Sequence, residues 1–133
     1  MSHRTGRSGG VAILYRNFDC QTISIPWYIS SSISSFEFHV VKIKSKSFAY
    51  CAVCVYRKQE IAVQFFIEEV EYLLDYITHV TKDILIVLGD FNVHFDSQSK
   101  DARDVTDIFS CYGLAPMLVD STHKKGTHLT RFL

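Results

Sequence analysis

The chain has 133 residues, the size of one modest domain rather than two. Hydrophobic residues make up 47% and charged residues 21%, a balance that excludes a disordered segment. Fourteen Lys and Arg offset fourteen Asp and Glu, so no bulk field marks a nucleic-acid or membrane binder, and only a local basic patch stays open.

In chain order, residues 11–15 follow Gly9 and Gly10 and read as a short buried strand. Residues 20–35 are Ser-rich and contain Pro26; they read as loop, with a brief edge strand over 22–25. Phe36, Phe38 and Val40 alternate with Glu37 and His39, and the apolar parity then skips at Val41, as at a bulge or a change of buried face. Residues 48–56 are almost continuously apolar, as a central strand should be, and residues 44–47 read as the hairpin turn before it. Phe66, Val70, Leu73 and Ile77 share one face of a helix over 61–80. Residues 84–88 read as a buried strand stopped by Gly89. A second helix covers 101–112, with Ala102, Val105, Ile108, Phe109 and Tyr112 on one stripe and Gly113 at its C-terminal end. Strand and helix alternate, which predicts an α/β layer fold without repeats or a second domain.

The longest apolar runs fall far short of the ~20 residues of a membrane helix. The positively charged first ten residues lead into no continuous apolar stretch, so they do not read as a secretory signal. Four cysteines give no disulfide framework in a chain of this size. Reduced thiols and an intracellular location, nuclear or cytoplasmic, are expected. Cys51 and Cys54 resemble half a zinc site, but three-residue spacing within a strand sends them to opposite faces, so buried thiols are expected.

Chemistry concentrates at Gly89-Asp90-Phe91-Asn92, directly after a buried strand, where α/β sheets place their ligands. A carboxylate there deprotonates a water, and an amide two residues on donates to an anionic oxygen. Extended spacing puts Asp90 and Asn92 on one side and Phe91 on the other. On spacing alone, a Gly-Asp turn fits as well. His94 and Asp96 share the parity of Asn92 if the extended chain continues, although a surface histidine is the plainer reading. His123, Lys124, Lys125, His128 and Arg131 form a small basic tail suited to a phosphate backbone or to solvent. Arg4, Arg7 and Arg16 are too few for a binding site.

Four segments occur in one order: residues 7–13 around Gly9-Gly10-Val11, residues 53–57 ending in Tyr56-Arg57, residues 86–94 around Asp90, and residues 121–126 around His123. Together they resemble the endonuclease/exonuclease/phosphatase superfamily. More narrowly, they are similar to the apurinic-type endonuclease domain of non-LTR retrotransposons, from about residue 7 to residue 129. The resemblance implies a four-layer α/β sandwich of two packed sheets flanked by helices, here incomplete, with residues 1–133 forming one partial domain. It implies phosphodiester hydrolysis with Mg²⁺, and DNA as substrate. Asp90 matches the water-activating aspartate, Asn92 the asparagine on the scissile phosphate, and Tyr56 a strand-end tyrosine that donates to a phosphate oxygen. His94 is a further candidate substrate contact. Lys58 and Gln59 stand where the family carries prolines.

The family's metal-binding glutamate precedes its Gly-Gly-Val segment, and its Ser-Asp-His motif follows a Thr-Leu-Asp segment. A truncated domain lacking both is therefore expected, with its metal ligands unassigned and its activity impaired. Thr130 falls where the family has the aspartate that supports the catalytic histidine. Two alternatives accompany this reading. One is a non-catalytic retroelement remnant that binds nucleic acid or protein weakly. The other is a small-molecule or lipid phosphatase of the same superfamily.

Overall fold

The computed structural model describes residues 11–14, 19–95, 98–118 and 129–132, with only the backbone of Leu118 and of the last stretch. Its elements are β1 (Asp19–Thr22), α1 (Trp27–Ser30), β2 (Phe36–Lys44), β3 (Ala49–Arg57), α2 (Val63–Val80), β4 (Ile84–Asp90), α3 (Lys100–Ser110), β5 (Pro116–Leu118) and β6 (Leu129–Phe132). The strands form one sheet in the order β1-β2-β3-β4-β6-β5. β3 and β4 run parallel, joined by the crossover helix α2, and the other described pairs are antiparallel.

The helical stripes explain why the layers form. α2 buries Phe66, Val70, Leu73, Leu74 and Ile77, and α3 buries Ala102, Val105 and Phe109. Both stripes close on Phe36, Val40, Cys51, Val53, Val55 and Val87 of the sheet. Aromatic edges lock the contact: Phe36 meets Phe66 at 5.3 Å and Phe91 meets Phe109 at 5.6 Å, between ring centroids. Val41, Ala52 and Cys54 on the opposite face are buried as well. The four cysteines are unpaired; Cys51 faces the helices and burial pushes its thiol up to about 11, with Asp83 adding to the shift.

Several expectations change. Residues 11–14 form no strand and Leu14 is 97% exposed, because an apolar run becomes a strand only where a neighbour takes its backbone groups. The edge strand lies at 19–22 rather than 22–25, paired from Asp19↔Lys44 to Thr22↔Val41, and α1 occupies part of the expected loop. β2 and β3 pair residue for residue from Phe36↔Arg57 to Lys44↔Ala49, so no bulge exists. Val40 and Val41 are simply buried on opposite faces. Phe48 is 57% exposed in the turn, where Ser45 N–H donates to Phe48 O at 2.8 Å. Gly89 does not stop β4, which runs through it to Asp90.

α3 ends as expected near Gly113, which takes φ +73°, with Leu114 N–H donating to Phe109 O at 3.1 Å. The class is mixed α/β, and the described residues contain one sheet rather than two packed ones. No helix among them is long and apolar enough to cross a membrane.

Candidate functional site

The site begins with a steric requirement. Gly89 takes φ +147°, and a Cβ there would lie 1.8 Å from Val55 O, so only glycine lets β4 approach β3 this closely. The next residue, Asp90, is the register partner of Tyr56. Val55 and Phe91 face the helices, so Asp90 and Tyr56 share the opposite face as strand neighbours. Across β3, Tyr56 also pairs with Glu37 of β2. Glu37, Tyr56 and Asp90 thus form a row over three strands at one end of the sheet.

Beyond Asp90 the extended chain stops. Asn92 takes φ +48°, a left-handed conformation that Asn tolerates, and its N–H donates to Asp90 Oδ1 at 2.9 Å. Its side-chain Nδ2 donates to Arg57 O at 2.5 Å. The expected extended parity of Asp90 with Asn92 therefore does not hold: the Asp90 carboxylate captures the backbone two residues on and turns it. Phe91 does point away, into the core, as expected. The same turn removes the parity argument that joined Asn92 to His94, which is exposed. Asp96, His123, Lys124, Lys125 and His128 lie outside the described residues, as do residues 1–10. Thr130 is placed by its backbone opposite Gly89, and Leu129 opposite Asp90.

Arg57 is the residue that the sequence reading passed over. It is 4% exposed, yet its guanidinium donates to Phe91 O at 2.5 Å, Ile61 O at 2.6 Å, Asn92 O at 2.8 Å and Lys58 O at 3.2 Å. One planar cation thereby joins the loop after β3 to the loop after β4. Burial lowers its pKa, while Asp101, Asp90 and Glu60 favour the charged form, and a guanidinium stays protonated in a protein. The available signal was a permanently charged residue closing an apolar strand.

Among the described residues, no group of three or more His, Cys, Asp or Glu could hold a metal ion. The donor set does not make a protein cage for Mg²⁺. It fits only an ion that keeps most of its waters and is shared between one or two carboxylates and a phosphate.

No family model and no curated protein matches the sequence. Among solved structures, the endonuclease domain of TRAS1, a telomere-specific non-LTR retrotransposon, matches with a TM-score of 0.60 at 12% identity. That likeness covers 86% of this chain and 54% of that one, so the chain spans about half the length of the domain it resembles. A Sphaerobacter thermophilus protein described as an acetyltransferase matches at a TM-score of 0.41 and 9% identity, over 71% of this chain and 56% of that one. That second likeness carries no argument. The first shows the fold: this chain bears a distant structural resemblance to a non-LTR retrotransposon endonuclease domain.

Proposed function

We propose that residues 1–133 belong to an endonuclease/exonuclease/phosphatase-type domain, completed as a four-layer sandwich, that acts on the phosphodiesters of DNA. What carries this reading is the pairing of Tyr56 with Asp90 at the strand ends of a fold that resembles a retrotransposon endonuclease domain. Attack on a phosphodiester builds negative charge on its oxygens, which donors at fixed positions stabilise. Tyr56 supplies a hydroxyl and Asn92 an amide, with His94 at the margin. Asp90 is the base that takes the proton of the attacking water. The Asn92 N–H on Asp90 Oδ1 fixes the rotation of that carboxylate. A divalent cation, Mg²⁺ by the resemblance, would neutralise charge on the phosphate.

Nicking of supercoiled plasmid DNA tests the reading. Residues 1–133 joined to segments carrying a metal glutamate and a Ser-Asp-His motif, with Thr130→Asp, are expected to nick in Mg²⁺. Asp90→Ala in that longer protein should cost about 10²–10⁴ in rate. A longer protein that folds and stays inert overturns catalysis.

The second reading, a non-catalytic remnant that binds nucleic acid or protein weakly, is favoured by one observation. The Asn92 amide already donates to Arg57 O.

A further inference from the structure

We propose that Arg57 is the positioning residue of this site: by holding the carbonyls of Phe91 and Asn92, its guanidinium sets which oxygen of Asp90 is left to act as base. The proposal deepens the phosphodiesterase reading above, in which Asp90 takes the proton of water, and rests on it for that role alone.

The chain of contacts starts in the core. Arg57 closes β3 and is 4% exposed. Its Nε donates to Phe91 O at 2.5 Å and its Nη2 to Asn92 O at 2.8 Å. Two successive carbonyls aimed at one planar cation require a turn, because successive carbonyls of an extended strand point in opposite directions. Asn92 meets that demand with φ +48°, and its N–H then falls on Asp90 Oδ1 at 2.9 Å. Phe91 blocks the way back. Its ring is fully buried, 6.0 Å from that of Phe66 and 5.6 Å from that of Phe109 between centroids, so the turn cannot relax by moving it outward.

The consequence falls on the carboxylate. Oδ1 accepts from a backbone donor that stays in place as long as Arg57 holds the turn, so Oδ2 is the oxygen left for the proton of water. The guanidinium also donates to Ile61 O at 2.6 Å and Lys58 O at 3.2 Å, ahead of α2. It therefore fixes Asp90 against the helix layer and not merely against its own loop. The Asn92 side chain is a bystander to this step. Its Nδ2 donates one hydrogen to Arg57 O, and an amide nitrogen carries a second.

Hydrogen exchange followed by NMR on the 133-residue chain separates positioning from bulk stability. In the wild type, the residue-92 amide and the Arg57 Nε–H should be protected to within about threefold of each other, since one opening releases both. Arg57→Lys should speed exchange of the residue-92 amide at least about tenfold beyond any change at the Val53 and Val87 amides of the paired core strands. It should also shift the Asp90 carboxyl carbon resonance. A loss of stability alone moves these amides together and leaves the resonance of the folded state in place. Asn92→Gly keeps the N–H and accepts φ +48°, so it should retain most of the wild-type protection at residue 92.

A residue-92 amide that exchanges freely in the wild type while the Arg57 Nε–H stays protected would overturn the proposal before any variant is made. So would a folded Arg57→Lys with its residue-92 protection and Asp90 resonance unchanged. An Asn92→Gly that loses as much protection as Arg57→Lys would also overturn it, because the asparagine side chain would then be what sets the turn. Failure of the longer protein to nick DNA would remove the phosphodiesterase reading and leave these exchange results as they are.

Discussion

At the end of β3 and β4 where Tyr56 and Asp90 stand, the chain is tied by a cluster of hydrogen bonds, most of them half-buried. Arg57 holds four carbonyls, Asn92 returns a bond to Arg57 O, and Lys58 N–H donates to Ser35 O at 2.9 Å. Glu69 of α2 accepts from the backbone and hydroxyl of both Ser34 and Ser35, just before β2. At the opposite end, where Tyr50 pairs with Ile84, one ion pair joins Lys42 to Asp83 at 2.8 Å, with side chains 31% and 17% exposed. Phe48 and Ile84 lie open to solvent there. The contrast has a cause. Asn92 holds a backbone conformation that non-glycine residues adopt rarely, and such a turn persists only where its surroundings over-determine it.

Arg57→Ala is the sharpest way to break this contrast. It leaves four carbonyls without their donor and should lower stability by about 3–5 kcal/mol in urea unfolding. Arg57→Lys should recover only part of that loss, since a point charge cannot reach both loops as a planar fork does. A loss under about 1 kcal/mol for Arg57→Ala would make the two ends equivalent.

Glu69 gives a smaller effect with a pH signature. Burial works against its charged form, but the hydrogen bonds from Ser35 and Ser34 outweigh it and hold the carboxyl below its usual range. A carboxyl depressed in the fold contributes stability above its unfolded value, about 4.3, and loses it as pH falls through the folded value. Glu69→Gln should therefore cost about 1 kcal/mol at neutral pH and approach the wild type in acid. Melting temperatures measured from pH 7 down to pH 3 check this, and a constant difference between the two proteins would contradict it.

Lys42→Met tests the loose end. The half-exposed pair with Asp83 should contribute little, a change near the resolution of denaturant unfolding. A larger loss would mean that this end is held as firmly as the other.

The helices were legible because Phe66, Val70, Leu73 and Ile77 repeat at helical spacing, and that period depends on nothing distant. The hairpin of β2 and β3 was legible for a similar reason: two apolar runs flank a short polar turn. Residues 11–14 misled because a local run carries no record of whether a partner strand lies beside it. Of the site, Asp90 stood out by its place after a buried strand. The remainder is non-local. Arg57 reaches carbonyls 34 and 35 residues away, and the neighbours of Tyr56 depend on a parallel register that no single segment encodes. The turn at Asn92 escaped notice because Asp90 folds the chain back on itself there, and extended parity presumes a straight strand.

The row of Glu37, Tyr56 and Asp90 is assembled by consecutive stretches of chain. A short turn at 45–48 closes Glu37 onto Tyr56, and the α2 crossover closes Tyr56 onto Asp90. The hairpin closes over a short turn and costs little loop entropy, whereas the parallel closure of Tyr56 onto Asp90 spans the whole crossover and is the slower, non-local one. The geometry of the row is thus set by the segment from β2 to β4. Outside that segment, Asn92 still acts on the row directly, because its N–H holds the Asp90 carboxylate.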